Sequence, residues 1–503
     1  MTGSKTRSAT GVPGLDEVLH GGLIPGRLYL IDGEPGAGKT TLAMQYLMQG
    51  AREGEPTLYV TLGETAGELR ASAESHGWSL EGIELVELVV DETELLGDSE
   101  LTMYHPSEVE LNETTKRILA AVERCKPSRM VLDSLSELRL LAQTSLRYRR
   151  QILALKQFFI GRGCTVLFLD DRSSDTMDTQ VHSIAHGVIA LEHRVPPYGP
   201  ALRQLHITKF RGSNFISGYQ DLMIRQGGLQ VFPRLRPGDH GSDYSRDVVP
   251  SGVAALDEML GGGMQRGTAT LLTGPAGVGK STVAAQYAFA AAQRGAHAVI
   301  FTFEESRALL LDRLRGIGMD VDEGIGRGRV SVRQIDPAEV LPSQFSNIVR
   351  KSVETDGATV VVIDSLNGYM NAMPEERALT VQLHELLTYL GNHGVASFLV
   401  AAQSGMLGMS MRNAVDASYL ADAVVLFRMY EHAGSVRKAI SVIKKRSGRH
   451  EDTIRQLWFD AQGVHLGPPL AHLRGVLSGI PVEIETAGTR VAAAADDDGT
   501  GRL

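Results

Sequence analysis

The sequence predicts an α/β protein made of two tandem copies of one unit, each a mostly parallel sheet with helices on both faces. Three observations predict it. The stretches "GEPGAGKT" (33–40) and "GPAGVGKS" (274–281) are two versions of one glycine-rich loop, 241 residues apart. Around them, 11–46 and 252–287 are identical at 18 of 36 aligned positions without a gap, which marks an internal duplication. In both halves short apolar segments alternate with helical ones, the pattern of a parallel sheet covered on both sides.

Taken in order, the first copy reads "RLYLID" as a strand, "TTLAMQYLMQGAREG" as a helix, and "TLYVTL", "RMVLD" and "CTVLFL" as further strands. The offset of 241 also carries "LYVTLGET" (58–65) onto "VIFTFEES" (299–306), but Asp133 in "RMVLDSLSEL" meets Asp364 in "VVVIDSLNGY" at 231. The second copy is therefore ten residues shorter in between, and the acidic stretch "DETELLGDSELT" (91–102) is the expected place. Later, "HITKFRGS" (206–213) meets "SVIKKRSG" (441–448). The expected domains are 11–233 and 248–471, joined by a polar, turn-rich linker at 234–247. Residues 1–10 read as a disordered tail and 472–503 as a largely disordered one.

With 503 residues, 43% hydrophobic and 22% charged, the chain has the profile of a soluble globular protein of several domains. A formal net charge of -9 gives no generic attraction to nucleic acid or to an anionic membrane, so neither is an expected partner. Cys125 and Cys164 are the only cysteines and sit outside any metal-ligand spacing, so they read as buried thiols of a reducing compartment. The opening "MTGSKTRSAT" has no apolar run of the secretory kind, and no stretch of about 18 uninterrupted apolar residues occurs. A cytoplasmic location is the expectation.

A strand ending in glycine, then four residues, then Gly-Lys-Ser/Thr opening a helix is a phosphate-binding loop. Gly33, Gly36 and Gly38, and Gly274, Gly277 and Gly279, let backbone N–H groups turn toward phosphate oxygens, and the helix start adds its positive dipole end. Lys39 and Lys280 would reach the terminal phosphates, Thr40 and Ser281 would bind magnesium, and Thr41 and Thr282 follow at the nucleotide. The implied ligands are ATP and Mg2+. Asp133 and Asp364 each end an apolar strand, where a carboxylate can hold the hydration shell of the magnesium. After the second strand, Glu304 and Glu305 stand where an attacking water or hydroxyl needs a base, whereas the first copy keeps Glu64 and has Gly63 opposite Glu304. The copies are not chemically equivalent.

The paired loops, the upstream "GLDEVLHGG" and "ALDEMLGGG", the acidic pair, "LDSL" and "IDSL", and "KFRG" and "KKRSG" together resemble KaiC-like ATPases of the RecA superfamily, over about residues 10–470. The resemblance implies two stacked RecA-like P-loop NTPase domains per chain, a homohexamer of two rings, and ATP between neighbouring subunits. It implies that Glu304 is the catalytic base and Glu305 its acidic neighbour, a pattern from which Gly63 departs. Lys209 with Arg211, and Lys444 with Arg446, match a Lys-x-Arg pair that reaches a neighbour's terminal phosphate, where a cation supplied in trans stabilises the charge on a transferring phosphoryl group. Self-phosphorylation is a further implication. In "VDASYLADAVVLFRMYE" (415–431) Ser418 is the candidate phosphosite, while Tyr419 replaces a threonine and Val415 another hydroxyl residue.

The expected function is an ATP-hydrolysing hexamer whose second ring is the better catalyst. One rival is a serine/threonine autokinase whose phosphorylation state signals to a protein partner. The other is a RecA-like recombinase or helicase on DNA, against which stand the acidic charge and the lack of a basic, aromatic-interleaved segment.

Overall fold

The computed structural model describes residues 7–88, 106–172, 179–196, 201–239, 243–370, 376–404, 412–413, 418–478 and 480–484. The chain divides into two compact units, Met1–Arg234 and Leu235–Leu503. In the first unit the strands are β1 (Leu28–Gly33), β2 (Thr57–Thr61), β3 (Ile83–Glu87), β4 (Arg129–Asp133), β5 (Thr165–Asp171), β6 (Gly187–Arg194), β7 (Leu202–Phe210), β8 (Gln220–Arg225) and β9 (Gly228–Phe232). They form one sheet in the order β3-β2-β4-β5-β1-β6-β7-β8-β9, parallel through β6 and antiparallel from β6 to β9.

The second unit repeats this sheet. Its strands are β10 (Ala269–Gly274), β11 (His297–Thr302), β12 (Val330–Gln334), β13 (Ala358–Asp364), β14 (Ala396–Ser404), β15 (Ala423–His432), β16 (Ser435–Lys445), β17 (Arg455–Asp460) and β18 (Gly463–Pro469). Their order is β12-β11-β13-β14-β10-β15-β16-β17-β18, with the short Arg412–Asn413 segment paired onto β14. Two tandem RecA-like α/β domains result, as the sequence predicts.

Both faces of each sheet are covered, and every residue of the central strands β1 and β10 is buried. In β1, Leu28 and Leu30 pack on one side of the sheet while Tyr29 and Ile31 pack on the other, following the two-residue period of a strand. The helix Lys39–Arg52 lays Leu42, Ala43, Met44, Tyr46 and Leu47 on the Tyr29 side, each nearly fully buried. Each large apolar side chain so removed from water contributes about 1.5–3 kcal/mol. That burial fixes the helix start at the carboxyl edge of β1. Parallel sheets of this kind bind ligands outside that edge, where the strand order reverses.

Three details differ from the sequence reading. Ile83 in β3 corresponds to Val330 in β12, an offset of 247, against 241 for β2 and 231 for β4. The second copy thus gains six residues before its third strand, where the short helix Val321–Gly326 lies, and has sixteen fewer after it. The stretch 91–102 itself is outside the described residues. Residues 234–247 do not all behave as a linker. Leu235 is buried in the second unit's core, and Asn392 Nδ2 donates to the Pro237 carbonyl at 2.9 Å.

The expected tails are also partly built in. Ser8 and Leu23 exchange backbone hydrogen bonds, and Thr10 is buried. Leu473–Arg474 pairs with Val482–Glu483, and Val476 packs against Tyr430. In each case one or two apolar or hydrogen-bonding residues in a polar stretch find a site on the core. Residues 1–6 and 485–503 lie outside the described residues. No helix among the described residues is long and apolar enough to cross a membrane.

Candidate active sites

Each glycine-rich loop runs from the end of a central strand into a helix: from β1 into Lys39–Arg52, and from β10 into Lys280–Gln293. Gly38 and Gly279, at the helix starts, have φ of 106° and 110°. A Cβ there would meet the Ile224 side chain at 2.7 Å and the Phe459 ring at 2.2 Å, so glycine is required on both counts. Lys39 Nζ donates to the Gly33 and Glu34 carbonyls at 2.9 and 3.0 Å, and Lys280 Nζ donates to the Gly274 and Pro275 carbonyls at 2.9 and 2.7 Å. Both lysines therefore curl over their own loops, where terminal phosphates would sit. Burial lowers the Lys280 ammonium to about 8, opposed by the nearby carboxylates Asp364 and Glu304.

The magnesium-binding expectations meet in space. In the first unit Thr40 Oγ1 donates to Asp133 Oδ2 at 3.2 Å, and the Tyr59 hydroxyl donates to the same oxygen at 2.6 Å. In the second, the Ser281 hydroxyl lies beside the Asp364 carboxylate and favours its charged form. Burial raises the pKa of both aspartates, against the influence of these hydroxyls. A hydroxyl and a carboxylate facing each other beside a phosphate loop are the hard oxygen donors that magnesium takes.

The acidic residues after β2 and β11 differ sharply. Glu304 Oε1 accepts from the Ser365 hydroxyl at 2.5 Å, and the Ser365 oxygen in turn accepts from the Gly368 N–H at 3.2 Å. Glu305 forms a two-pronged ion pair with Arg313, at 3.2 and 2.7 Å, and Arg313 also donates to Thr282 Oγ1 at 2.8 Å. Thr282, expected at the nucleotide, thus braces Arg313. In the first unit Gly63 supplies no side chain, and Glu64 stands where Glu305 does. Its pKa is raised by burial and then by Asp133 and Glu68. Thr65 caps the next helix in a reciprocal arrangement with Glu68, which fixes the loop that carries Glu64.

The Lys-x-Arg pairs lie elsewhere: Lys209 and Lys444 are on β7 and β16, and Arg211 and Arg446 lie just past the ends of those strands. Lys209 Nζ donates to the His182 and Ser183 carbonyls, and Lys444 Nζ to those of Ser418 and Ala421. These lysines brace their own chain. Arg446 reaches the Tyr419 carbonyl and Asp422 Oδ1 but stays half exposed, and it lines a cavity of about 350 Å³ with His384, Tyr419 and Val381. Arg211 similarly extends to the Ser183 carbonyl at 3.4 Å. Ser418 begins a turn, partly buried, and residues 414–417 before it are outside the described residues.

Sequence reasoning missed Tyr59, Arg313, Ser365 and Asp171, whose Oδ1 lies 2.7 Å from Lys39 Nζ. Arg313 follows Glu305 by eight residues, about two helical turns past the N-cap Ser306, which is the one local signal available. Among the described residues no group of three or more His, Cys, Asp or Glu could hold a further metal ion.

A family model described as the KaiC ATPase matches residues 8–236 and again 249–470. The chain belongs to the KaiC ATPase family. The chain is also similar to the "circadian clock protein KaiC3" of Synechocystis sp., 26% identical over 479 residues that cover 94% of each protein. It is 26% identical to the "circadian clock oscillator protein KaiC" of Thermostichus vulcanus over 489 residues, 94% of this chain and 92% of that one. Against the protein of the same name from Synechococcus elongatus the identity is 25% over 485 residues, with 94% and 92% covered. As a KaiC-family ATPase it binds ATP, and one glycine-rich loop occurs in each matched region.

Proposed function

We propose that this KaiC-family chain is an ATP-hydrolysing homohexamer of two rings, with ATP and magnesium at subunit interfaces and most of the turnover in the second ring. The observation that carries the reading is the contrast between Glu304, oriented by Ser365 beside Asp364, and Gly63, which offers no carboxylate. In the second site Lys280 holds the terminal phosphates. Ser281 and Asp364 would hold magnesium, which supplies neutralisation of phosphate charge. Glu304 orients the attacking water and takes its proton as the water oxygen bonds to the terminal phosphorus; ADP leaves with the bridging oxygen. Arg446, half exposed, serves a neighbouring subunit's phosphate in the transition state.

The finer reading is tested by native mass with and without ATP and magnesium, together with phosphate release and a search for phosphorylated residues. A nucleotide-dependent hexamer that releases phosphate agrees with it. Covalent phosphate on Ser418 would instead favour the autokinase, and assembly only on DNA the recombinase.

A further inference from the structure

The first site lacks a carboxylate at residue 63 but has one that the second site lacks. Asp171 ends β5 directly beside Gly33, the first glycine of the loop. The residue in that register beside Gly274 is Ala402. The two units therefore show a reciprocal exchange, Gly63 with Asp171 in one and Glu304 with Ala402 in the other. Asp171 sits between two charged neighbours that are turned elsewhere. Asp170 is buried against Arg139 and Ser136, and Arg172 reaches toward Asp32 and Glu192. Asp171 alone of the three faces the loop lysine, with a side chain 46% exposed toward the open edge of the sheet.

That contact fixes what Asp171 can reach. Lys39 is the group that would bond the terminal phosphates, so a carboxylate 2.7 Å from its nitrogen lies beside the place they would take. Two acceptors bonded to one tetrahedral ammonium lie roughly 4–5 Å apart, so a single water could bond both the carboxylate and a phosphate oxygen. Glu64 stands at the position of Glu305, which pairs with Arg313, and not at that of Glu304, which bonds Ser365.

We propose that Asp171 is the water-orienting carboxylate of the first site and gives that site a slow ATP hydrolysis of its own. The inference rests on the ATPase reading above. In the step, the water oxygen forms a bond to the terminal phosphorus while the bond from phosphorus to the bridging oxygen breaks. ADP departs with that oxygen and the electron pair, and the proton lost by the water passes to the Asp171 carboxylate and then to solvent. The shorter aspartate, already engaged by Lys39, makes this site slower than the one served by Glu304.

The test uses the full chain carrying Glu304→Gln, so that the remaining phosphate release reports the first site. Adding Asp171→Asn should cut that remainder on the order of tenfold or more, while binding of a fluorescent ATP analogue to the first site stays within about twofold. Adding Glu64→Gln instead should change it much less. Asp171→Ala serves as a second variant with the same expected loss. No residual release in the Glu304→Gln chain, a residual rate indifferent to Asp171→Asn, a rate raised by it, or loss of nucleotide binding in step with turnover would each overturn the proposal. Failure of the ATPase reading is distinct, because it would show as no phosphate release by the unaltered protein.

Discussion

At position 63 a Cβ would meet no atom within 4 Å, and the backbone is free of the left-handed φ that would demand glycine. The missing carboxylate is therefore a chemical difference that the fold does not impose. Gly63→Glu in the Glu304→Gln background should raise first-site phosphate release by roughly tenfold or more, because a positioned base is worth about 10²–10⁴ in rate. Steady-state release compared between the single and double variants checks it, and an unchanged rate would mean that more than this side chain separates the sites. At this scale the sequence located what lies in one residue of an aligned motif: the loop lysines, the hydroxyls, Asp133, Asp364 and the Gly63–Glu304 contrast all fall beside the two loops. Asp171, Arg313 and Ser365 were not, because their partners come from other strands or from two helical turns away. Asp171 meets Lys39 only because β5 lies next to β1, an adjacency that no local pattern in "FLDDRS" states.

Among the elements, the start of β6 shows how a single ring nitrogen ties strand to strand. His186 Nδ1 accepts from the Leu28 N–H at 3.2 Å, and the His186 N–H donates to the Leu28 carbonyl at 2.8 Å. Burial, then Lys156 and Arg27, lowers its pKa from 6.5 to about 4. A neutral ring is required, since a protonated Nδ1 cannot accept. The unfolded chain then binds more protons than the folded one between these values, so the stability is fully present above about pH 6.5 and is lost as pH falls toward 4. Denaturant unfolding at pH 7 and pH 5 should show a larger loss of midpoint in the unaltered protein than in His186→Gln, whose amide is uncharged at both. Equal losses would contradict the assignment. The strands themselves were legible because their apolar runs are short and bounded. The helix Val321–Gly326 was not, because the copies drift after β11 and a net shift of ten conceals a gain and a larger loss.

For the whole molecule, duplication made the architecture readable, since a loop found twice in one context implies two sheets of one plan. Arg446 is the residue of the second unit whose proposed role needs a neighbouring subunit. Its guanidinium bonds Asp422 and the Tyr419 carbonyl while remaining half exposed, and the neighbouring Lys444 is fully engaged by its own chain's carbonyls. Arg446→Ala should leave ATP binding nearly intact and slow hydrolysis, because a charge supplied in trans acts mainly on the transition state. Mixing Arg446→Ala subunits with Glu304→Gln subunits should restore part of the activity at interfaces that combine an intact base with an intact arginine; strictly additive residual rates would rule out a shared site.

The central claim is that two loops of one design do unequal work, and it is tested most directly by removing each loop lysine in turn. Lys280 belongs to the site with the oriented Glu304, and Lys39 to the site with Gly63 and the Lys39–Asp171 ion pair. Phosphate release by Lys280→Ala and Lys39→Ala, measured on assembled protein of matched native mass, gives the comparison. The account predicts that Lys280→Ala loses most of the turnover while Lys39→Ala, where it assembles, keeps most of it. Equal losses in the two variants, both as intact hexamers, would contradict it.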